Sequence, residues 1–375
     1  MKKVLQPRRI KEGRLFRNLS QENLADELGV TKQAISQYEN GVVTPKSEII
    51  YKLADVLEFP LNYFSKGYSE KIITPIFFRK RKTSRKKYTI IFKTYINWMV
   101  DIYSYIEEYL KLPSLNLIRK THVYYSDDEI REAAIELRRA WGLGNGPISN
   151  VTLLLENNGF IISKTNLTPE KVDACSLFFT SVTHEKRPMI FLTSSTSSVR
   201  SRRDIAHELG HQVLHSWMSV EDFEENEEII EHEADSFANY FLMPADAMER
   251  ECFAIDSINS LLLMKKRWGA SAQSILYYLH NLGLISNDEF ENLKNQIYRK
   301  GWRKKEPFDD EIAQEKPNLI HDAITMLIDN GLKTAKNILD DLSLPANDVV
   351  ALCGISKSFF NDNLIQKPKL YLIKK

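Results

Sequence analysis

Arg203-Asp204-Ile205-Ala206-His207-Glu208-Leu209-Gly210-His211 and, further on, Glu231-His232-Glu233-Ala234-Asp235 decide how this chain is read. Side chains four apart on a helix share one face, so His207 and His211 can grip one metal ion together. Glu208 is turned about 100° from His207, which lets it reach a water on that ion without ligating it. Two imidazoles and a carboxylate base are the minimal equipment of a zinc hydrolase. Ile205, Ala206, Leu209 and Val213 supply an apolar face for packing, and Asp204 suits the N-terminal end of the helix. Gly210 costs roughly 1 kcal/mol against Ala in a helix, and a small residue there suits close approach by a strand or by the helix carrying a further ligand.

His215 would lie about 12 Å along the axis from His207, too far to share one ion, and reads as a helix-end or core histidine. A third histidine in the pattern His-x-x-Gly-x-x-His needs Gly at 214 and His at 217, where the chain has Leu214 and Trp217. The acidic segment is the remaining source. Glu231 as ligand, with Asp235 one helical turn later accepting a hydrogen bond from a ligand imidazole, fits a second helix facing the first. Glu233 competes with Glu231, since the two are turned about 200° apart and only one can ligate. Phe237, Phe241 and Leu242 lie nearer the Glu231 side, which favours Glu231.

The run 203–211, then Glu231-x-x-Ala234-Asp235-x-Phe237-Ala238 and Phe241-Leu242-Met243-Pro244, resembles the ImmA/IrrE family of metallo-endopeptidases. Upstream, Leu137 to Gly144, Gly146-Pro147-Ile148, Leu155-Glu156-x-x-Gly159 and Val172-Asp173-Ala174 resemble it too, as do Trp268-Gly269-Ala270-Ser271 and Gly301-Trp302 downstream. The resemblance covers most of residues 125 to 305. It implies a zinc-dependent peptidase that cuts a repressor protein, with His207, His211 and Glu231 as ligands, Glu208 as general base and manganese as an alternative ion. Cys175 departs from the aromatic or aliphatic residue expected there, a change that touches a strand and not the metal. Tyr240 and His232 are candidates for a second oxyanion donor by their nearness in sequence.

The first sixty-odd residues tell a separate story. Ser20 can cap a helix from Gln21 to Leu28, Gly29 can end it in the left-handed conformation, and Thr31 opens a second helix through Tyr38. Thr44-Pro45 opens another, with Ile49, Ile50, Leu53, Ala54 and Leu57 as its buried stripe. This is a helix-turn-helix. Leu19-Ser20-Gln21, Leu24-Ala25, Leu28-Gly29-Val30-Thr31, Ile35-Ser36 and Tyr38-Glu39-Asn40-Gly41 resemble the phage-repressor (Cro/CI-like, XRE) family over roughly residues 9 to 64. In that geometry the second helix enters the major groove. Thr31, Lys32, Gln33, Ser36 and Gln37 form its polar face, with Gln33 and Gln37 suited to adenine and Lys32 to guanine or phosphate. Gln21 would touch the phosphate backbone.

The expected fold is multidomain. An all-α helix-turn-helix DNA-binding domain (1–67) leads through a basic, then aromatic, helical linker (68–125) to an α+β zincin-like, gluzincin-type metallopeptidase domain (126–250). A helical C-terminal region (251–375) follows, with a helix-turn-helix-like segment from Leu261 to Ile285. The basic run Arg79 to Lys87 reads as a solvated linker, and the stripe Ile91, Tyr95, Trp98, Ile102, Tyr105 and Tyr109 as core. The acidic stretch Glu221 to Glu228 reads as a solvated loop. Three strands are expected, over 160–164, 174–180 and 189–192, and the last could pair with an extended substrate by edge addition.

At 375 residues the chain can bury two or three cores, and its formal charge of +1 says nothing about partners. No run of about twenty apolar residues predicts a membrane span. The basic start lacks the apolar stretch of a signal peptide. Three scattered cysteines, Cys175, Cys252 and Cys353, point to a reducing, cytoplasmic compartment. The expected function is a DNA-binding regulatory zinc metallo-endopeptidase. It would cleave a transcriptional repressor, a partner or itself, to derepress mobile-element, prophage or stress genes. Expected partners are a double-stranded DNA operator and that repressor, and a homodimer is compatible with both. The alternative is a non-proteolytic DNA-binding regulator or antitoxin-like protein with a structural or sensory metal site. An intact Glu208 favours the first.

Overall fold

A computed structural model describes residues 4–67, 77–78, 85–165, 174–181, 184–193, 197–252, 255, 257–303, 305–356 and 359. Arg79 to Ser84 of the basic run, and Val172 and Asp173, lie outside the described residues.

The chain opens with four helices, α1 (Pro7–Phe16), α2 (Gln21–Leu28), α3 (Lys32–Glu39) and α4 (Ser47–Leu57). Their boundaries follow from capping chemistry. The Ser20 hydroxyl accepts from Asn23 N at 2.9 Å, and the Asn23 side chain answers to Ser20 N. Gly29 ends α2 at φ 67°, a conformation in which a Cβ is penalised. Thr31 caps α3 by accepting from Ala34 N at 3.1 Å. Leu24, Ala25, Leu28 and Ile35 are buried between the helices. A buried ion pair from Arg14 to Glu39 at 2.5 Å holds α1 to α3.

A sheet of four strands lies further along: β1 (Phe77–Phe78), β2 (Ile161–Thr165), β3 (Ala174–Thr180) and β4 (Lys186–Thr193), in the order β1-β3-β4-β2. β3 pairs antiparallel with β4 from Ala174 opposite Leu192 to Thr180 opposite Lys186, and β2 runs parallel to β4. Three of these match the expected strands to within a few residues. β1 was not expected, because two residues carry no periodicity to read.

Both faces of the sheet are covered, so the period-two alternation of a strand sorts its side chains into two cores. Ile162, Ala174, Ile190 and Leu192 join one core with α6 (Asp127–Ala140), α7 (Val151–Asn157), α8 (Ser198–Gly210) and α10 (Glu227–Leu242). A short α9 (Val220–Glu225) precedes α10, and α11 (Ala245–Glu251), α12 (Ile258–Trp268), α13 (Ala272–Asn281) and α14 (Asn287–Arg299) complete this side. Ile161, Cys175, Leu177, Phe179, Met189 and Phe191 face the second core. That core holds the first four helices, α5 (Arg85–Glu107) and the last three helices, α15 (Leu319–Asp329), α16 (Ala335–Leu342) and α17 (Ala346–Leu352). The C-terminal helices are therefore divided between the two cores.

The middle of the aromatic stripe is core, as its spacing predicts, whereas Ile91 and Tyr105 are half-buried and Tyr109, beyond the end of α5, is exposed. Tyr95, Trp98 and Ile102 are buried. Trp98 is enclosed by the rings of Phe16, Phe59, Tyr63 and Tyr95, with centroids 4.4 to 6.2 Å away. Tyr103 meets Phe179 of the sheet edge-on at 5.3 Å. Buried carboxylates tie the two cores together. Glu315 pairs with Arg202 of α8 and accepts from Thr152 N at 2.9 Å. Glu156 of α7 accepts from Asn318 N and Leu319 N at the start of α15 at 3.0 to 3.1 Å, and burial pushes its carboxyl up to about 7. Among the described residues no helix is long and apolar enough to cross a membrane.

Candidate metal centre and nucleic-acid interface

The candidate metal centre is built where α8 and α10 cross, and Gly210 is what lets them cross closely. A Cβ at position 210 would stand 3.1 Å from Ala234 O and 3.2 Å from Ala234 Cα. The helix cost of glycine is thus exchanged for backbone approach by the helix that carries Glu231. His207 and Glu208 lie on the last turn of α8. His211 to His215 continue as one turn of π-helix, a rare local form often found at functional sites.

The donor atoms of His207, His211 and Glu231 all lie within 4.8 Å of one another. His207 Nε2 and His211 Nε2 are 3.1 Å apart, and each is 3.4 Å from a Glu231 oxygen. The far side of each ring is held by hydrogen bonds that fix the tautomer. His207 Nδ1 bonds Asp235 Oδ1 at 2.7 Å, and Arg203 steadies the same oxygen at 2.9 Å. His211 Nδ1 meets His215 Nδ1 at 3.1 Å, and His215 Nε2 meets Glu233 Oε2 at 2.8 Å. A carboxylate can only accept, so His215 donates from Nε2, receives on Nδ1, and His211 carries its proton on Nδ1. Each ring so fixed turns its Nε2 toward Glu231, where a cation can take the place of a proton. Two imidazole nitrogens and one carboxylate in this arrangement fit a divalent cation such as zinc.

The electrostatics agree with that fit. Burial works to raise the Glu231 carboxyl, but bonds from His207 and His211 outweigh it and hold the group far below the usual carboxylate range. Burial lowers His207, yet its bonds to Asp235 and Glu231 prevail and raise it to about 9. Burial drives His211 down to about 3. A proton and a metal cation compete for one place between these groups. Glu208 is buried beside them, pushed up to about 7 by burial, with Oε2 lacking a hydrogen-bond partner among the described residues.

The sequence left Glu231 and Glu233 as rivals, and the geometry separates them. Glu233 is buried and engaged by His215 and by Tyr125 N at 2.9 Å, whereas Glu231 meets both imidazoles. His215 is no ligand, yet it is more than a core histidine, since it bonds a ring of the cluster. The available signal was the spacing His211-x-x-x-His215 taken with the second acid two residues after Glu231. Tyr240 gives its hydroxyl to Asp127, and His232 is exposed.

At the other end of the chain, Thr31, Lys32 and Gln33 are exposed at the start of α3, and Ser36 and Gln37 are half-buried one turn on. Lys32 lies 3.7 Å from Glu22. Gln21 opens α2 and donates its amide to Glu39 at 2.8 Å. The arrangement presents the polar start of a second helix to solvent, as groove reading requires.

Residues 10–64 match the family model described as helix-turn-helix, and residues 162–280 match that of the IrrE N-terminal-like domain, peptidase M78. The chain thus carries a segment similar to helix-turn-helix domains and, after it, one similar to IrrE N-terminal-like domains. The curated proteins similar to it include the uncharacterized HTH-type transcriptional regulator YqaE of Bacillus subtilis (strain 168), 34% identical over 62 residues. Those residues are 16% of this chain and 53% of that protein, so the match spans about half of the relative's length. The segment similar to the IrrE N-terminal-like domain contains His207, Glu208, His211, Glu231 and Asp235, together with His215 and Glu233.

Proposed function

We propose that this chain is a DNA-binding regulatory metallo-endopeptidase that cleaves a transcriptional repressor. The observation that carries the reading is the convergence of two imidazole lone pairs and Glu231 on one point, beside a buried carboxylate with an unpaired oxygen. A purely structural metal site has no use for that carboxylate. A divalent ion held by His207, His211 and Glu231, zinc or manganese, would supply Lewis-acid polarisation of a peptide carbonyl and of a water. Glu208 accepts the proton of that water and delivers it to the departing amine, and a pKa near neutrality suits a group that both takes and returns a proton. Asp235 and Arg203 keep His207 oriented; His215 and Glu233 do the same for His211. The zincin-like, gluzincin-type label follows from the same set of His, His and Glu.

The helix-turn-helix domain supplies the address. Lys32, Gln33, Ser36 and Gln37, with Thr31, face base edges in this reading, and Gln21 faces the phosphate backbone. Placing a peptidase at an operator raises its effective concentration near the bound repressor.

The test is mass-detected proteolysis. Wild type and Glu208→Gln are incubated with zinc or manganese, alone and with repressors encoded beside the gene. A fragment made by wild type, lost with chelator and reduced 10²-fold or more in the variant, is the expected result. No fragment from a protein that holds metal and operator DNA would instead favour a non-proteolytic regulator with a sensory metal site.

A further inference from the structure

Phe77 and Phe78 follow the helix-turn-helix domain in sequence, yet their backbone is a strand of the sheet on the far side of α5. β1 runs antiparallel to β3, with Phe77 opposite Ser176 and Phe78 opposite Cys175. β4 already pairs with the other side of β3, so β1 takes the position that otherwise ends the sheet.

That edge lies at the metal centre. Ser176 is fully buried, and β3 packs against α8, the helix that carries Glu208. Ser176 Oγ and Glu208 Oε2 are both buried without a hydrogen-bond partner among the described residues. An extended backbone laid along β3 therefore passes beside Glu208. Charge favours a basic extended segment there. Phe223 of α9 packs 5.8 Å from the His211 ring, and its neighbours Glu221, Asp222, Glu224 and Glu225 make that rim acidic. The sequence directly after Phe78 holds seven Lys and Arg residues between positions 79 and 87. Opposite charges steer a basic extended segment toward such a rim.

We propose that the β3 edge beside Glu208 is a peptide-binding edge, and that the chain fills it with its own linker strand, Phe77–Phe78, in competition with an extended, basic partner peptide. The inference rests on the peptidase reading for its biological meaning, but the occupancy is a binding property. An intramolecular strand acts at an effective concentration on the order of millimolar, so a partner peptide must displace it to reach Glu208.

Cys175 provides a built-in test. Residues opposite each other in an antiparallel pair have Cα atoms about 4.5 to 5.5 Å apart, within disulfide range. Full-length chain carrying Glu208→Gln is given Phe78→Cys, and in parallel Phe77→Cys, whose register partner is Ser176 instead. After mild oxidation, peptide mapping is expected to find a link from position 78 to Cys175, and none from position 77. The probe is a fluorescent peptide copying residues 74–85, read by anisotropy. The linked form is expected to bind it at least tenfold more weakly than its reduced form. A Phe77→Pro, Phe78→Pro variant, which cannot donate to the ladder, is expected to bind it at least tenfold more tightly than the parent. Equal linking from both positions, or binding that neither the link nor the prolines change, overturns the proposal. Because Glu208→Gln hydrolyses nothing, competition without any cleavage by wild type removes the peptidase reading alone, and cleavage without competition removes the linker alone.

Discussion

The two faces of one small sheet lead to different kinds of interior. On the face of Ile162, Ile190 and Leu192, the core surrounds His207, Glu208, His211, His215 and Glu233, buried polar groups gathered at one helix crossing. On the face of Cys175, Phe179 and Phe191, the core is apolar and aromatic, with Trp98 at its centre. Its ion pairs hold helices together, Arg14 to Glu39 within the helix-turn-helix domain, Arg17 to Asp348 of α17 and Lys66 to Asp101 of α5. Buried charge is costly unless it is paired, so its concentration at one helix crossing marks the candidate metal site. The other side joins the DNA-reading module to the sheet and stabilises by area. The contrast is open to attack from either side.

The largest expected effect is on the aromatic side. Trp98→Ala removes a fully buried indole and should lower unfolding stability by about 3–5 kcal/mol. Denaturant unfolding followed by both metal release and operator binding would show one shared transition. Separate transitions would mean that the sheet does not join the two cores.

Next comes the far side of the metal cluster. His215→Ala should weaken metal binding roughly 10–100-fold in a chelator competition, because His211 loses the partner that fixes its tautomer. Glu233→Gln should shift it in the same direction by less. Unchanged affinity in both would reduce this pair to packing.

The tie between cores is pH-dependent. The folded pKa of Glu156, about 7, lies above its ordinary value, because burial penalises the ionised form. Its contribution is therefore full below the unfolded pKa and is lost as pH rises through about 7. Glu156→Gln should match wild type near pH 5 and be more stable at pH 8, by on the order of 2 kcal/mol. A wild-type advantage at pH 8 would reverse the sign and refute the burial argument.

The smallest effect belongs to the reader. Thr31→Ala removes the cap of α3 and should cost about 1 kcal/mol. Operator affinity should fall while metal affinity stays the same. A matching fall in metal affinity would show coupling across the sheet stronger than the two-core contrast allows.

Much of the site was legible in the sequence because its chemistry is local. His207, Glu208 and His211 are set by helical period alone. Gly29 and the caps Ser20 and Thr31 fix the helix-turn-helix by rules that act over three or four residues. The buried stripe of α5 is read from its spacing. Glu231 against Glu233 could not be settled that way, because both acids sit on one helix and only the crossing at Gly210 and Ala234 decides which faces the imidazoles. His215 escaped for the same reason: its value depends on Glu233, 18 residues away in sequence. The strand at Phe77–Phe78 has no pattern of its own and exists by virtue of β3. Sequence determined the candidate metal-binding residues, the caps and the two modules, since those rest on short-range periodicity and hydrogen bonding. Tertiary structure decided which acid meets the histidines, which face of the sheet serves which core and what lies on its edge, since those depend on groups that folding alone brings together.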